Sequence, residues 1–408
     1  MMQFVFNNPL YSNLKPFNIY SMPISDEAVE GFKNYVAYVT EQLKDYCDIY
    51  EIWNEPDLTT ADDGKEATPE QLVRLIKECA PVIHEIDPGS KVASLSVTRI
   101  MRDERLNYWM KTLCEEGALD YLDALTLHTY TSTGVRPEDE KITDLIWNFK
   151  NMAAEYGKAD MPVWTTEYGN STAMQDNTSA DDQANWISRA AILYETTGSA
   201  AISFLFRFED GGIIDRDRED RYGIVSPMYE WLNIEGKVAI PHKAYLSFAG
   251  LNYMLGGDEL EHSESIDAGE NIKIERFKNT KFKKDMSALW AVKGQEQVTL
   301  KLDTDSVDYY DKYGNKTTIN GNDGLFTFML DESIGYIVGD FKCFEVRDNS
   351  ELVKFETKQI ETTLGDMPAA VFKANRECPY TIEVEKLYDG AKVSENNGFI
   401  NGMAEVKV

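Results

Sequence analysis

The chain has 408 residues, 43% of them hydrophobic, enough to bury a large core in more than one domain. Its 70 acidic and 41 basic side chains give a net charge of -29, which speaks against a nucleic-acid backbone or an anionic membrane surface as partner. Cys47, Cys79, Cys114, Cys343 and Cys378 are odd in number, dispersed and without a C-x-x-C pair, so neither a disulfide framework nor a zinc site is expected.

In chain order, "QFVFN" (3–7) is the first expected strand, and nothing in the opening "MMQFVFNNPLYSN" has the pattern of a signal peptide. The stretch "SDEAVEGFKNYVAYVTEQLKDY" opens with Ser25 as N-cap and repeats apolar residues at helical spacing. A second strand, "YEIWN" (50–54), ends at Asn54 or Glu55, because Pro56 cannot continue it. The next helix, "TPEQLVRLIKECAPVIHEI", has Thr68 as cap and Pro69 at its first helical position. Strands "KVASLSV" (91–97), "ALTLHTY" (124–130), "PVWTTEY" (162–168) and "AISFLFRF" (201–208) follow. The helix "SADDQANWISRAAILYETTG" is stopped by Gly198, and "PHKAYLSFAGLNYML" closes the region near residue 257. No apolar run approaches the roughly 18 residues that a membrane span needs.

Strand-helix alternation of this kind implies a parallel sheet, and its regular length an α/β fold of the (β/α)8 TIM-barrel type. Six units can be counted from "QFVFN" to "PHKAYLSFAGLNYML", where a closed barrel has eight. The two others amount to about 60 residues. The barrel is therefore expected to be incomplete at its amino end, an open sheet with a gap between the strands holding Phe4 and Phe206. On that count the chain is expected to be part of a longer protein, and to be poorly stable and weakly active alone. From residue 258 the pattern changes: "QVTLKLD" and "LFTFMLD" alternate with period two, and a Tyr-Gly-Asn turn sits in "YYDKYGNKTTI". The expected division is a barrel over 1–257, an all-β sandwich module over 258–342 and a further β module, possibly truncated, over 343–408.

Two acids stand at strand ends. Glu55 follows "YEIWN", and Glu167, 112 residues later, ends "PVWTTEY" just before Gly169. On a parallel barrel both carboxylates would point into the mouth at the carboxyl face, across from each other. Facing carboxylates are what glycosidic bond cleavage requires, one to protonate the departing oxygen and one to support the anomeric carbon. Two unrelated loop-entrance glutamates are the plain alternative, and the pairing with "WNEP" weighs against it. His128 and Tyr130, two apart, share one strand face. In "IIDRDREDR" (213–221), Asp215, Asp217 and Asp220 interleave with Arg216, Arg218 and Arg221, a solvated ion-pair loop rather than a calcium site.

Taken together, "EIWNEP" and "WTTEYG", in this order and separation, resemble the acid/base and nucleophile strands of clan A retaining glycoside hydrolases. "NNPLY" (7–11), "LHTY" (127–130), "DRDREDRYGIVSP" with "PHKAY" (215–245), and "LWAVKG" with "DKYGN" look like the family 39-like members of that clan. The resemblance implies Glu55 as general acid/base and Glu167 as nucleophile. It further implies Asn54 on the sugar 2-hydroxyl, with His128, Tyr130, Asn8 and Phe206 in the substrate subsite and Tyr130 orienting Glu167. Where the family offers a stacking Trp after its last strand, this chain has "FLFRFEDGG", with Leu205 at the Trp position and Phe204 and Phe206 beside it. The activity so implied is retaining hydrolysis of an oligosaccharide or glycoside by double displacement, with no metal or organic cofactor. Its rivals are a catalytically impaired barrel that binds carbohydrate or serves as a scaffold, and an endo-acting polysaccharide hydrolase of the same clan. Localisation and oligomeric state stay open.

Overall fold

A computed structural model describes the chain apart from residues 13, 99–102, 133, 199–201, 213–216, 228–239, 257–259, 280, 348–352, 356–368, 382–396 and 408. Two compact units divide it, Met1–Ala249 and Gly250–Val408. The first holds six parallel strands that pair in sequence order: β1 (Met2–Phe4), β2 (Ile49–Ile52), β3 (Lys91–Thr98), β4 (Ala124–His128), β5 (Val163–Tyr168) and β6 (Ser203–Leu205). Helices α1 (Asp26–Leu43), α2 (Pro69–Ile86), α3 (Asp103–Glu115), α4 (Ile142–Glu155), α5 (Ala180–Thr196) and α6 (Lys243–Leu255) complete the alternation. The expected incomplete barrel is present: β1 and β6 close the two ends of the sheet, and among the described residues no ladder joins them.

The helix starts follow the cap chemistry. The Ser25 hydroxyl accepts from the Ala28 N–H at 3.1 Å, and the Gln71 side chain accepts from the Thr68 N–H at 3.0 Å before Pro69 opens α2. These contacts satisfy donors that a helix leaves without internal partners. Strand ends differ from expectation. β1 stops at Phe4 rather than Asn7, and β2 at Ile52 rather than Asn54 or Glu55. Phe6 (φ 80°) and Trp53 (φ 70°) take left-handed backbone, which ends an extended run whatever the residue's propensity. A register shift between Ser94 and Val97 marks a bulge in β3 against β4, with Leu95 and Ser96 at positive φ. Bulges of this kind bend a strand and re-aim the residues beyond them.

All five residues of β4 are buried, and in β2 Tyr50, Glu51 and Ile52 are too. Both faces of these strands are covered, as a parallel sheet under helices demands. Among the described residues no helix is long and apolar enough to cross a membrane.

The second unit is antiparallel. Strands β7 (Glu261–Ser265), β8 (Ile272–Asn279), β9 (Lys284–Ala291), β11 (Ser306–Tyr310), β12 (Lys316–Asn320) and β14 (Gly335–Val338) form one sheet in the order β12-β11-β14-β9-β8-β7. Strands β10 (Glu296–Leu302), β13 (Leu325–Leu330) and β15 (Phe344–Arg347) form another, in the order β13-β10-β15. Val298, Leu300, Leu302, Phe326 and Phe328 from the smaller sheet pack with Ile274, Leu289 and Ile337 from the larger, the core of a β-sandwich. Between β11 and β12 the Asp311 Oδ1 accepts from the N–H groups of Tyr313 at 2.8 Å and Asn315 at 2.9 Å. Gly314 supplies the φ of +82° that closes this turn. Because β15 pairs with β10, the sandwich runs to Arg347. Beyond it, β16 (Val353–Phe355), β17 (Ala369–Thr381) and β18 (Asn397–Lys407) form a separate antiparallel sheet.

Candidate active site

The carboxyl ends of β2, β4 and β5 bring three titratable groups together. One oxygen each of Glu55 and Glu167 and one ring nitrogen of His128 all lie within 4.8 Å of one another. His128 ends β4 with no exposed surface. Its Nδ1 stands 3.0 Å from Glu55 Oε1 and 3.5 Å from Glu167 Oε2, so the imidazole bridges the two acids. Burial alone would lower the His128 pKa. The hydrogen bond to Glu55 and the charges of Glu167, Glu51 and Glu55 outweigh burial and leave it raised. The Tyr130 hydroxyl donates to Glu167 Oε2 at 2.9 Å. Burial holds the Glu167 pKa above the ordinary value, opposed by the His128 charge and the Tyr130 hydrogen bond and reinforced by Glu55 and Glu219.

Local backbone places Glu55. The left-handed Trp53 turns the chain out of β2, and Glu55 itself takes φ 42°, ψ 56° before a short helical turn, Pro56–Leu58. Neither residue is glycine, so both conformations cost energy, and strain of this sort concentrates at functional sites. The Trp53 N–H is held by the Phe4 carbonyl at 2.8 Å, and its carbonyl accepts from Ser96 Oγ at 3.3 Å. On the other side, Gly169 follows Tyr168 at the end of β5. A Cβ at Gly169 would lie 2.1 Å from the Phe206 carbonyl oxygen, so only glycine lets these two backbones meet.

Aromatic rings line one side of the acid pair. Tyr130, Phe206 and Tyr222 meet edge to face, with centroids 6.3 Å (Tyr130–Phe206), 5.6 Å (Tyr130–Tyr222) and 5.5 Å (Phe206–Tyr222) apart. Phe206, not Leu205, is thus the aromatic that stands beside Tyr130. A cavity of about 210 Å³ adjoins them, lined by Tyr130, Thr131, Asn170, Asp176, Arg218 and Tyr222 among others. Arg218 pairs there with the buried Asp176 at 2.6 Å. Of the loop expected over 213–221, Asp215 and Arg216 lie outside the described residues, while Arg218 and Arg221 pair with Asp176 and Asp210.

Beneath the pair lies polar structure that the motif reading did not single out. Glu51 is 1% exposed, accepts from Gln3 Nε2 at 2.8 Å and from Thr166 Oγ1 at 3.0 Å, and its pKa is raised by burial. Asp57 is fully buried; burial pushes it up to about 7, against the hydrogen bonds from the Thr98 N–H. An acid inside an apolar strand that must be covered on both faces is the signal that could have pointed to Glu51.

Of the residues singled out in the sequence, Glu55, Glu167, His128 and Tyr130 converge directly. Phe206 joins through its ring. Asn54 joins from below, where its Oδ1 accepts from Gln3 Nε2 at 2.9 Å. Asn8 stands apart: its Oδ1 accepts from the Leu10 N–H at 2.9 Å, and it lines a second cavity with Phe6, Tyr11, Phe32 and Tyr35. Glu55, His128 and Glu167 also form a possible ligand set for a metal ion, although two carboxylates bridged by an imidazole serve acid-base chemistry equally well.

This geometry agrees with comparison to known proteins. Residues 26–210 match the glycosyl hydrolase catalytic core family. The likeness to family 39 drawn from the sequence holds in three dimensions as well. A family 39 glycoside hydrolase from the gut symbiont Bacteroides cellulosilyticus WH2 superposes with a TM-score of 0.65 at 18% identity, over 79% of this chain and 64% of that one. The chain therefore spans less than two thirds of that relative's length. A glucosidase from Croceicoccus marinus gives a TM-score of 0.53 at 12% identity, over 83% of this chain and 87% of the other. A family 30 subfamily 8 xylanase from Clostridium acetobutylicum gives 0.51 at 13% identity, over 78% and 73%. At these identities the structures speak to a shared fold. No curated protein sequence matches the chain.

Proposed function

We propose that the chain is a retaining glycoside hydrolase acting on a glycoside or oligosaccharide. The observation that carries this reading is the approach of the Glu55 and Glu167 carboxylate oxygens to within 4.8 Å. That distance suits the about 5–5.5 Å carboxyl spacing of retaining enzymes better than the about 6.5–9.5 Å that leaves room for an inverting water. The catalytic core match over 26–210 supports the same conclusion.

In the first step a Glu167 oxygen attacks the anomeric carbon, the glycosidic C–O bond breaks, and the Glu55 proton passes to the departing oxygen. In the second, Glu55 takes a proton from water, the water oxygen bonds to the anomeric carbon, and the ester to Glu167 is released. Tyr130 orients Glu167 and His128 links the acids; Asn54 meets the sugar 2-hydroxyl, and Phe206 gives an apolar edge. Asn8 belongs to this reading only if substrate extends toward its loop. Residues 1–257 carry the site, and the sandwich, which runs to Arg347 rather than ending at residue 342, and the β sheet beyond it are accessory modules.

The test is turnover of a panel of aryl glycosides, followed by rescue with azide. Glu167→Ala should lose turnover and regain part of it with azide, giving a glycosyl azide of inverted configuration. Glu55→Ala should give the retained azide, since azide needs no general base. Swapped configurations would exchange the two roles, and absence of turnover on every glycoside would leave a carbohydrate-binding barrel.

A further inference from the structure

We propose that Gln3 is a positioning residue that fixes which end of the Asn54 amide faces the substrate, an inference that rests on the glycosidase reading above. Gln3 sits opposite Glu51 in the β1–β2 register. Its Nε2 donates both to Glu51 Oε2 at 2.8 Å and to Asn54 Oδ1 at 2.9 Å. The two ends of an asparagine amide are nearly isosteric, so without a partner the group turns over at little cost. Here the neighbours decide. An ionised Glu51 carboxylate can only accept, so Gln3 turns its NH₂ toward it. The same nitrogen then faces Asn54, which must answer with Oδ1.

With Oδ1 occupied, Asn54 offers Nδ2, a donor, to whatever lies beyond. The anchor is rigid. Glu51 is buried, and a second bond, from Thr166 Oγ1, holds its other oxygen. The left-handed Trp53 turns the chain between Glu51 and Asn54, so that residues three apart both reach one glutamine nitrogen. A sugar 2-hydroxyl therefore meets a preset donor, and its oxygen is the group that Gln3 governs at a distance.

Two variants and two substrates test this. Gln3→Met keeps the length of the side chain and removes the donor; Gln3→Glu keeps the shape and replaces the donor by an acceptor. Each is compared with the unaltered protein on an aryl glycoside and on its 2-deoxy counterpart. Both variants should lose about 10-fold or more in kcat/KM on the 2-hydroxy substrate. On the 2-deoxy substrate they should stay within about 2-fold, because the contact that Gln3 sets no longer exists. Adding either substitution to Asn54→Ala should cost nothing further. Equal losses on both substrates would reveal a merely structural glutamine and overturn the proposal, as would unchanged kinetics on both. If one variant does not fold, the other carries the comparison. Failure of the glycosidase reading looks different: the unaltered protein would turn over neither substrate.

Discussion

At the scale of single residues, the site is a balance between burial and charge. Tyr130 is the most exposed point of that balance, because one hydrogen bond ties it to Glu167. Burial and the neighbouring charge of Glu167 raise the phenol pKa far above its usual value, so it remains a donor at any working pH. That donation favours the ionised form of Glu167, while burial opposes it. A nucleophile must be ionised to attack, so activity is lost as pH falls through the Glu167 pKa, and a raised pKa moves that acid limb upward. Tyr130→Phe removes a lowering influence. Its acid limb in kcat/KM should shift to higher pH, with a loss of about 10-fold or more on the plateau. A limb that stays in place would show that the hydroxyl does not reach Glu167 in the working enzyme. Glu55 and Glu167 were legible in the sequence because strand-end acids and a Pro advertise themselves, whereas Tyr130 entered through the family resemblance. Glu51 and Asp57 were not. Each reads locally as an ordinary polar residue, and only the covering of both strand faces reveals the cost of placing it there.

At the scale of elements, the starts of α1 and α2 were legible to the residue, since Ser25 and Thr68 announce caps whose chemistry is local. Strand ends were not, because Phe6 and Trp53 are good strand residues held left-handed by tertiary contacts. Nor did the sequence reveal what secures the β4–α4 loop, whose residues Thr131, Ser132 and Gly134 line the cavity beside Glu167. Arg189, in the middle of α5, is wholly buried and forms a two-pronged pair with Glu138 of that loop, its Nε 2.8 Å from Oε1 and its Nη2 bonded to Oε2. An arginine at a helix position reads as solvent-facing until its partner, 51 residues away, is known. Such a pair adds little net stability relative to a well-packed apolar one, but breaking it leaves a buried charge. Glu138→Ala should therefore lower unfolding stability by about 3–5 kcal/mol, measured by urea denaturation. A loss within about 0.5 kcal/mol, the range of an ordinary surface substitution, would mean that the guanidinium finds another partner or water.

At the scale of the whole molecule, the strand count made from the sequence holds, and with it comes a liability. β1 and β6 each pair on one side only among the described residues. An unpaired edge presents free N–H and C=O groups to any other strand, and proteins usually blunt it with charge, proline or cover. β6 itself carries neither charge nor proline: within Ser203–Leu205 the outward residue is Phe204, 45% exposed, with Phe208 exposed a few residues on. Long-range charge pulls the other way. A net charge of -29 makes copies of the chain repel each other, within a range of about 8 Å at physiological salt. Strand pairing acts at contact, inside that range, so added salt should favour association through the β6 edge. Phe204→Lys separates the two effects. It weakens the overall repulsion by one charge, which by itself promotes association, yet it places a lysine on the bare edge, which hinders pairing. If the edge dominates, light scattering at rising protein and salt concentration should show less association for Phe204→Lys than for the unaltered chain, with an unchanged circular dichroism spectrum. If the substitution leaves association equal or greater, the copies meet through some other surface, and the open side of the sheet is not where this molecule is vulnerable.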